Sequence, residues 1–159
     1  MLYRNKRVMH AALVVVASLA IAACPIDGSP SAPDPSLTPS VSMDDQVVAA
    51  AVDTQTIVVH SATLPDGGFI AIIDDFSSEI LGVSFYLEAG THENVAIALD
   101  TYIELATDVF AQIHRDTDED LRFDFDGSGD PDRPYTSDGS PVRDSAVVSV
   151  QAAAVRTHE

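Results

Sequence analysis

The sequence predicts an all-β fold, an antiparallel immunoglobulin-like β-sandwich of about seven strands, on three observations. Most apolar runs between residues 43 and 153 repeat with period 2 and not 3.6. Clusters of Gly, Pro, Asp and Ser separate those runs at short intervals. The chain has 159 residues, room for one ordinary domain once a leader and a linker are set aside.

The leader comes first. Arg4, Lys6 and Arg7 form a positive start, and Val8 to Ala23 is an almost continuous apolar run. A bilayer crossing needs roughly 20 apolar residues, so this run is short for a span and fits a signal segment over residues 1–23. It ends in Ile21-Ala22-Ala23-Cys24, which resembles the lipobox of bacterial lipoproteins. Small residues let the backbone enter a peptidase cleft, and the Cys24 thiol is the nucleophile that can carry a thioether lipid. The resemblance implies that Cys24 is the lipidated first residue of the mature chain, bearing diacylglyceryl and palmitate-type chains. Each buried methylene contributes about 0.8 kcal/mol, so several chains make a membrane, reached through the lipid anchor, a durable partner. Pro25 follows in place of an acidic retention residue, which implies the cell envelope of a bacterium, at its outer membrane or cell surface.

A linker follows over residues 24–42, where Pro25, Pro30, Pro33, Pro35 and Pro39 alternate with serines. Such a stretch builds no core and extends at about 3.1 Å per residue as a semi-rigid, disordered spacer. Residues 43–153 form the folding unit, and 154–159 a tail.

Within that unit, Gln55 to Thr63 places Ile57 and Val59 on one face and Val58 and Ala62 on the other. Phe69, Ala71 and Ile73 alternate with Ile70 and Ile72. The same alternation recurs over Val95 to Leu99, Val109 to Ile113 and Ala146 to Val150. Leu64-Pro65-Asp66-Gly67-Gly68, Glu88-Ala89-Gly90-Thr91 and Ser137-Asp138-Gly139-Ser140-Pro141 read as turns. Asp100 to Gln112 also carries a helical pattern through Ile103, Ala106, Val109 and Phe110. The strand reading is preferred there, with an irregular loop over 102–107.

Six pieces of the domain resemble one family: Gly67-Gly68-Phe69, Leu81-Gly82-Val83-Ser84-Phe85-Tyr86-Leu87, Gly90-Thr91-His92-Glu93-Asn94-Val95, His114-Arg115-Asp116-Thr117, Phe123-Asp124-Phe125 and Pro134-Tyr135-Thr136. Together they resemble a domain of unknown function frequent in secreted and surface proteins of halophilic archaea and found also in bacterial lipoproteins. The likeness covers residues 46–152. It implies an extracytoplasmic β-rich module without an established catalytic activity, so no active-site residue carries over.

Charge sets the chemistry. With 25 acidic against 8 basic residues the formal charge is -17, which excludes nucleic acid as a partner, since that affinity comes from clustered Lys and Arg. Removing residues 1–23 takes away Arg4, Lys6, Arg7 and no acid, leaving -20 and no Lys. Such a surface holds water and cations, as suits a saline medium. The single Cys excludes an internal disulfide and a blue-copper site, and the absence of Trp removes the commonest sugar-stacking residue.

Acids are densest from Asp116 to Asp132, with eight in 17 residues. Asp116, Asp118 and Asp120 alternate as they do in a loop that curls carboxylates around calcium, and Asp124 and Asp126 extend the set. An EF-hand match is incomplete: Leu121 stands where the motif has its turn-forming Gly, and Gly127 where it has its bidentate Glu. The solvated-loop reading stays open beside a calcium site.

Other chemistry is weaker. His92-Glu93 lacks the second His of a zincin, with Ala96 in its place, and Ser84 lacks the second Gly of a nucleophile elbow. His60 and His114 assemble no known site, and His114 beside Arg115 and Asp116 reads as a structural cluster. Tyr86, Tyr102 and Tyr135 fit equally a recognition surface or core padding, and paired acids for glycoside hydrolysis have no stacking Trp to support them. The sequence therefore predicts a non-enzymatic, lipid-anchored extracytoplasmic module with a structural role or a protein or glycan ligand. The alternative is a calcium-binding surface module with its site in the loop from Asp116 to Asp132.

Overall fold

A computed structural model describes residues 37–50, 54–127 and 131–151. It is all-β: no helix occurs among these residues, and ten strands, several very short, replace the seven expected. They are β1 (Ser40–Ser42), β2 (Gln46–Ala49), β3 (Thr56–Leu64), β4 (Phe69–Asp74), β5 (Ile80–Val83), β6 (Gly90–Ala98), β7 (Thr107–His114), β8 (Thr136–Ser137), β9 (Ser140–Pro141) and β10 (Arg143–Gln151). The helical pattern at residues 100–112 resolves as loop followed by β7, because Val109, Ala111 and Ile113 must face one way to enter the core.

Two sheets stack, one in the order β1-β3-β6 and the other β2-β10-β7-β4-β5, with β8-β9 a small ribbon. Ile57, Val59 and Ile97 from the first sheet meet Ile70, Ile72, Val109, Ile113 and Val148 from the second in one buried core. Burying each such side chain contributes on the order of 1.5–3 kcal/mol, so this interdigitated layer carries the fold.

Three sequence expectations change in detail. The segment read as linker to residue 42 already contains a strand, since β1 pairs with the end of β3, Ser40 opposite Thr63. Serine and threonine compete poorly for a core, so nothing but pairing marks β1. The chain then crosses to the other sheet at Met43–Asp45, where the Met43 N–H donates to Asp144 Oδ2 at 2.9 Å. There β2 runs parallel to β10, an exception to the antiparallel pattern. Where β1 stops, the Gln46 side chain takes over its ladder: Val58 N–H donates to Oε1 at 2.9 Å, and Nε2 donates to Val58 carbonyl at 3.1 Å. Ala62, expected on the face of Val58 and opposite Ile57 and Val59, shares their core instead. The β3-β6 pairing skips His60, Asn94 nearby has φ 53°, and beyond that irregularity Ala62 and Leu64 take the core face while Thr63 meets the Thr91 hydroxyl at 3.0 Å.

Two glycines are set by close approach. A Cβ on Gly68, at φ +135°, would lie 2.0 Å from the His114 carbonyl oxygen, and one on Gly82 would lie 2.5 Å from that of Ala98. Gly68 thereby lets the strand pair with Leu87 in both directions at 2.8 Å.

Candidate functional site

The segment from Arg115 to Tyr135 leaves β7 and returns beside it. Arg115 N–H donates to the Arg133 carbonyl and Tyr135 N–H to the Ile113 carbonyl, both at 2.9 Å. Between these ties the acidic loop lies over the outer face of the five-stranded sheet.

Aromatic packing holds it there. The outer face presents Phe69, Ala71, Ile73, Phe110 and His114, because odd positions of β4 and even positions of β7 point away from the core. The alternation Phe123-Asp124-Phe125 puts two rings down on that face. Phe123 lies 5.6 Å from Phe69 and 5.2 Å from His114, and Phe125 lies 4.8 Å from His114, all edge-to-face. Such pairs contribute about 0.5–1.5 kcal/mol each beyond area burial.

Asp132 is the polar keystone. It is fully buried, and its carboxylate accepts the N–H of Asp124 at 2.8 Å and of Thr117 at 3.3 Å. Its own N–H donates to Thr117 Oγ1 at 2.8 Å, and its carbonyl lies 2.8 Å from His114 Nδ1. Burial pushes its pKa up, against the lowering by those two N–H donors. His114 is equally buried, and burial holds its pKa below the usual histidine value despite the Asp132 carbonyl. A neutral ring donates through Nδ1, and Nε2 sits 3.1 Å from the Gln112 side-chain amide.

The first part of the loop curls around Asp116. Asp116, Asp118 and Asp120 each bring one carboxylate oxygen within 4.8 Å of the other two. The Leu121 N–H donates to Asp116 Oδ2 at 3.1 Å, and the Arg122 N–H to Asp120 Oδ1 at 2.8 Å. Leu121 has φ 61° and Glu119 φ 62°, so Leu121 adopts the left-handed conformation that a glycine takes at this turn. The other Asp116 oxygen, Oδ1, is closed off from solvent and has no hydrogen-bond partner. Burial raises the Asp116 pKa, partly opposed by the N–H donors of Leu121, Asp120 and Glu119 and reinforced by the Asp118 charge. This arrangement is costly for an anion alone and favourable for an anion facing a hard cation.

Of the five candidate ligands, the structure gathers Asp116, Asp118 and Asp120. Asp124 lies beyond the curl, its backbone committed to Asp132. Asp126 lines a groove of about 430 Å³ with Ile73, Ile80, Phe110 and Phe125. Cys24, with the leader, falls outside the described residues. Ser84 is used structurally, its Oγ accepting the Ile70 N–H at 3.0 Å. His92 Nε2 sits 2.8 Å from the Glu88 carbonyl, and His60 lies on the exposed side of β3. Sequence reasoning missed Asp132 as an internal ligand for backbone N–H groups; its signal was lost among equally charged neighbours. The aromatic pair was visible as alternating Phe123 and Phe125, but not its target.

No solved structure matches this chain. Among curated proteins it is similar to two from Haloarcula hispanica. It is 43% identical to Cell surface glycoprotein 2 over 116 residues, covering 72% of this chain, and 41% identical to Cell surface glycoprotein 1 over 99 residues, covering 62%. The chain spans only 12% and 10% of the length of these relatives, so the likeness is one of module to large protein. A family model also matches residues 39–149, beginning at β1 and closing within β10. This chain therefore belongs to the family described as a domain of unknown function, DUF7282.

Proposed function

We propose that this chain is a non-enzymatic module of the cell surface, held to the envelope by a lipid on Cys24, whose β-sandwich head serves a structural or ligand-recognition role. The observation that carries this reading is the 43% and 41% identity of its head to proteins named cell surface glycoproteins. The polar groups best suited to catalysis have structural uses: the Ser84 hydroxyl accepts the Ile70 N–H, and the two nitrogens of His114 face the Asp132 carbonyl and the Gln112 side chain. Ile21-Ala22-Ala23-Cys24 and the Pro/Ser stretch behind it support an anchor and stalk. Protease treatment of intact cells tests the placement. The head is expected to be cut from the stalk before lysis; a chain protected until the cells are broken would contradict it.

A second reading has its own observation, the solvent-closed and unpartnered Asp116 Oδ1 within a curl of three carboxylates. It makes the loop a calcium site braced by Asp116, Asp118 and Asp120, with waters and backbone carbonyls completing six to eight oxygen ligands. Calcium there acts as structural ballast for the loop and not as a reagent. Calorimetric titration of the chelator-stripped head should show one site, lost in Asp118→Asn. At a calcium concentration 100 times the dissociation constant, the native head should gain about 2.7 kcal/mol against unfolding. An unchanged unfolding midpoint with and without chelator would remove this reading.

A further inference from the structure

The two ends of the sandwich differ in what they expose. The chain enters the head at β1, whose Ser40 pairs with Thr63 near the end of β3. The opposite end, where β3 begins and β6 finishes, carries the turn between β4 and β5 and the loop between β6 and β7. The turn is tied to the start of β7, just after that loop, the Asp75 N–H donating to the Asp108 carbonyl at 3.0 Å.

The turn is closely hydrogen-bonded and holds a phenyl ring in water. Asp74 Oδ1 accepts the N–H of Phe76 at 2.9 Å, the N–H of Ser77 at 2.6 Å and the Ser77 hydroxyl at 2.9 Å. The Asp74 N–H donates to the Glu79 carbonyl and the Ser78 N–H to the Asp74 carbonyl, both at 2.9 Å. Phe76 at its apex is 100% exposed, and Leu105, beside the Ala106 that faces it across a cleft of about 390 Å³, is 77% exposed. A single exposed apolar side chain is ordinary. A fully exposed ring on a turn with three side-chain-capped hydrogen bonds has no use within the fold, and neither has Leu105, one position before the cleft-lining Ala106, since neither side chain covers the core.

The surroundings select the partner. Asp74, Asp75 and Asp108 line the cleft, and Asp45 joins Asp75 and Asp108 in an adjoining depression. None of the residues lining either is basic. A second copy brings the same acidic ring and a formal charge of -17, and anionic lipid headgroups are repelled in the same way. We propose that this end of the head is a docking tip in which Phe76 and Leu105 enter an apolar pocket on a partner protein whose rim carries Lys or Arg opposite Asp74, Asp75 and Asp108. Apolar burial at the centre supplies the affinity, while the acidic collar supplies orientation and rejects acidic surfaces.

The test is site-specific photo-crosslinking in intact cells of the source organism, with benzoylphenylalanine replacing Phe76 in the full chain. Phe85, 94% exposed elsewhere on the head, serves as the control position. The expected result is a discrete adduct at position 76, absent at 85, whose crosslinked peptide maps to a Lys- or Arg-rimmed surface of one identified protein. Reversing the collar with Asp75→Lys and Asp108→Lys should lower its yield by roughly tenfold, as for opposed charges at an interface. An unchanged unfolding midpoint in that variant shows that the loss is not one of folding; if the midpoint falls, Asp75→Lys alone, which leaves the Asp74 turn bonds in place, is used instead. An adduct with a second copy or with lipid, an equal adduct at position 85, no adduct, or a yield insensitive to charge reversal would overturn the proposal.

Discussion

At the scale of single residues, the acidic loop is organised by two aspartates with opposite environments. Asp132 has its carboxylate oxygens filled by backbone N–H groups, whereas Asp116 keeps one oxygen closed off and unfilled. A run of acids in a sequence cannot distinguish these roles, because which carboxylate faces inward depends on where the chain turns. Leu121 is where it turns. A residue with a Cβ in the left-handed conformation costs about 1–2 kcal/mol. Leu121→Gly should therefore raise stability in spite of the extra chain entropy of glycine, by about 0.5–1 kcal/mol in denaturant unfolding. A loss of stability would show that the Leu121 side chain has a packing role. Tyr135 supplies a pH prediction. Its hydroxyl donates to the Gly67 carbonyl at 2.7 Å and accepts the Asp66 N–H at 2.9 Å, and burial pushes its pKa up to about 12. The folded pKa lies above the unfolded value, so this contribution is complete below pH 10 and fades as pH rises through about 12. Unfolding midpoints measured across that window should fall in the native head and fall less in Tyr135→Phe.

At the scale of elements, period-2 alternation sufficed to mark β3, β4, β6, β7 and β10 as strands, though not the change of face within β3 after Val59. Asp138-Gly139, with φ 52° and 82°, forms the turn expected from the sequence, and the structure adds the short strands β8 and β9 on either side of it. The strands β1 and β2 were not legible. Ser40–Ser42 has no apolar alternation, and the parallel seat of β2 beside β10 depends on a crossing at Met43–Asp45 that only tertiary contacts determine. The loop could be identified as acidic, but not as a cover for one sheet face, since Phe123 and Phe125 meet Phe69 and His114 across a long sequence separation. The joint between β4 and β7 is the most sensitive point. Gly68→Ala places a methyl 2.0 Å from the His114 carbonyl oxygen. It should destabilise the head by about 3 kcal/mol or more, or leave it insoluble, as overpacking against backbone does. A variant unfolding at the native midpoint would show that the chain relieves this contact freely.

At the scale of the whole molecule, the excess of acid acts on every conformation at once. With a formal charge of -20 once residues 1–23 are removed, the chain repels itself more when its head is folded than when it is expanded, and salt shortens the reach of that repulsion to about 8 Å at 0.15 M. The unfolding midpoint should rise as sodium chloride increases from millimolar to molar. If it does not, the charges are already neutralised in the fold. The same surface suits a head displayed away from an anionic membrane, and its likeness to parts of cell surface glycoproteins fits such display. Display through a lipid on Cys24 is the central proposal. The most direct test is intact mass analysis of the native chain extracted from the envelope. The account predicts a polypeptide beginning at Cys24 and heavier than its amino acids by a diacylglyceryl group and an acyl chain; a free thiol at Cys24, or the leader still attached, would contradict it.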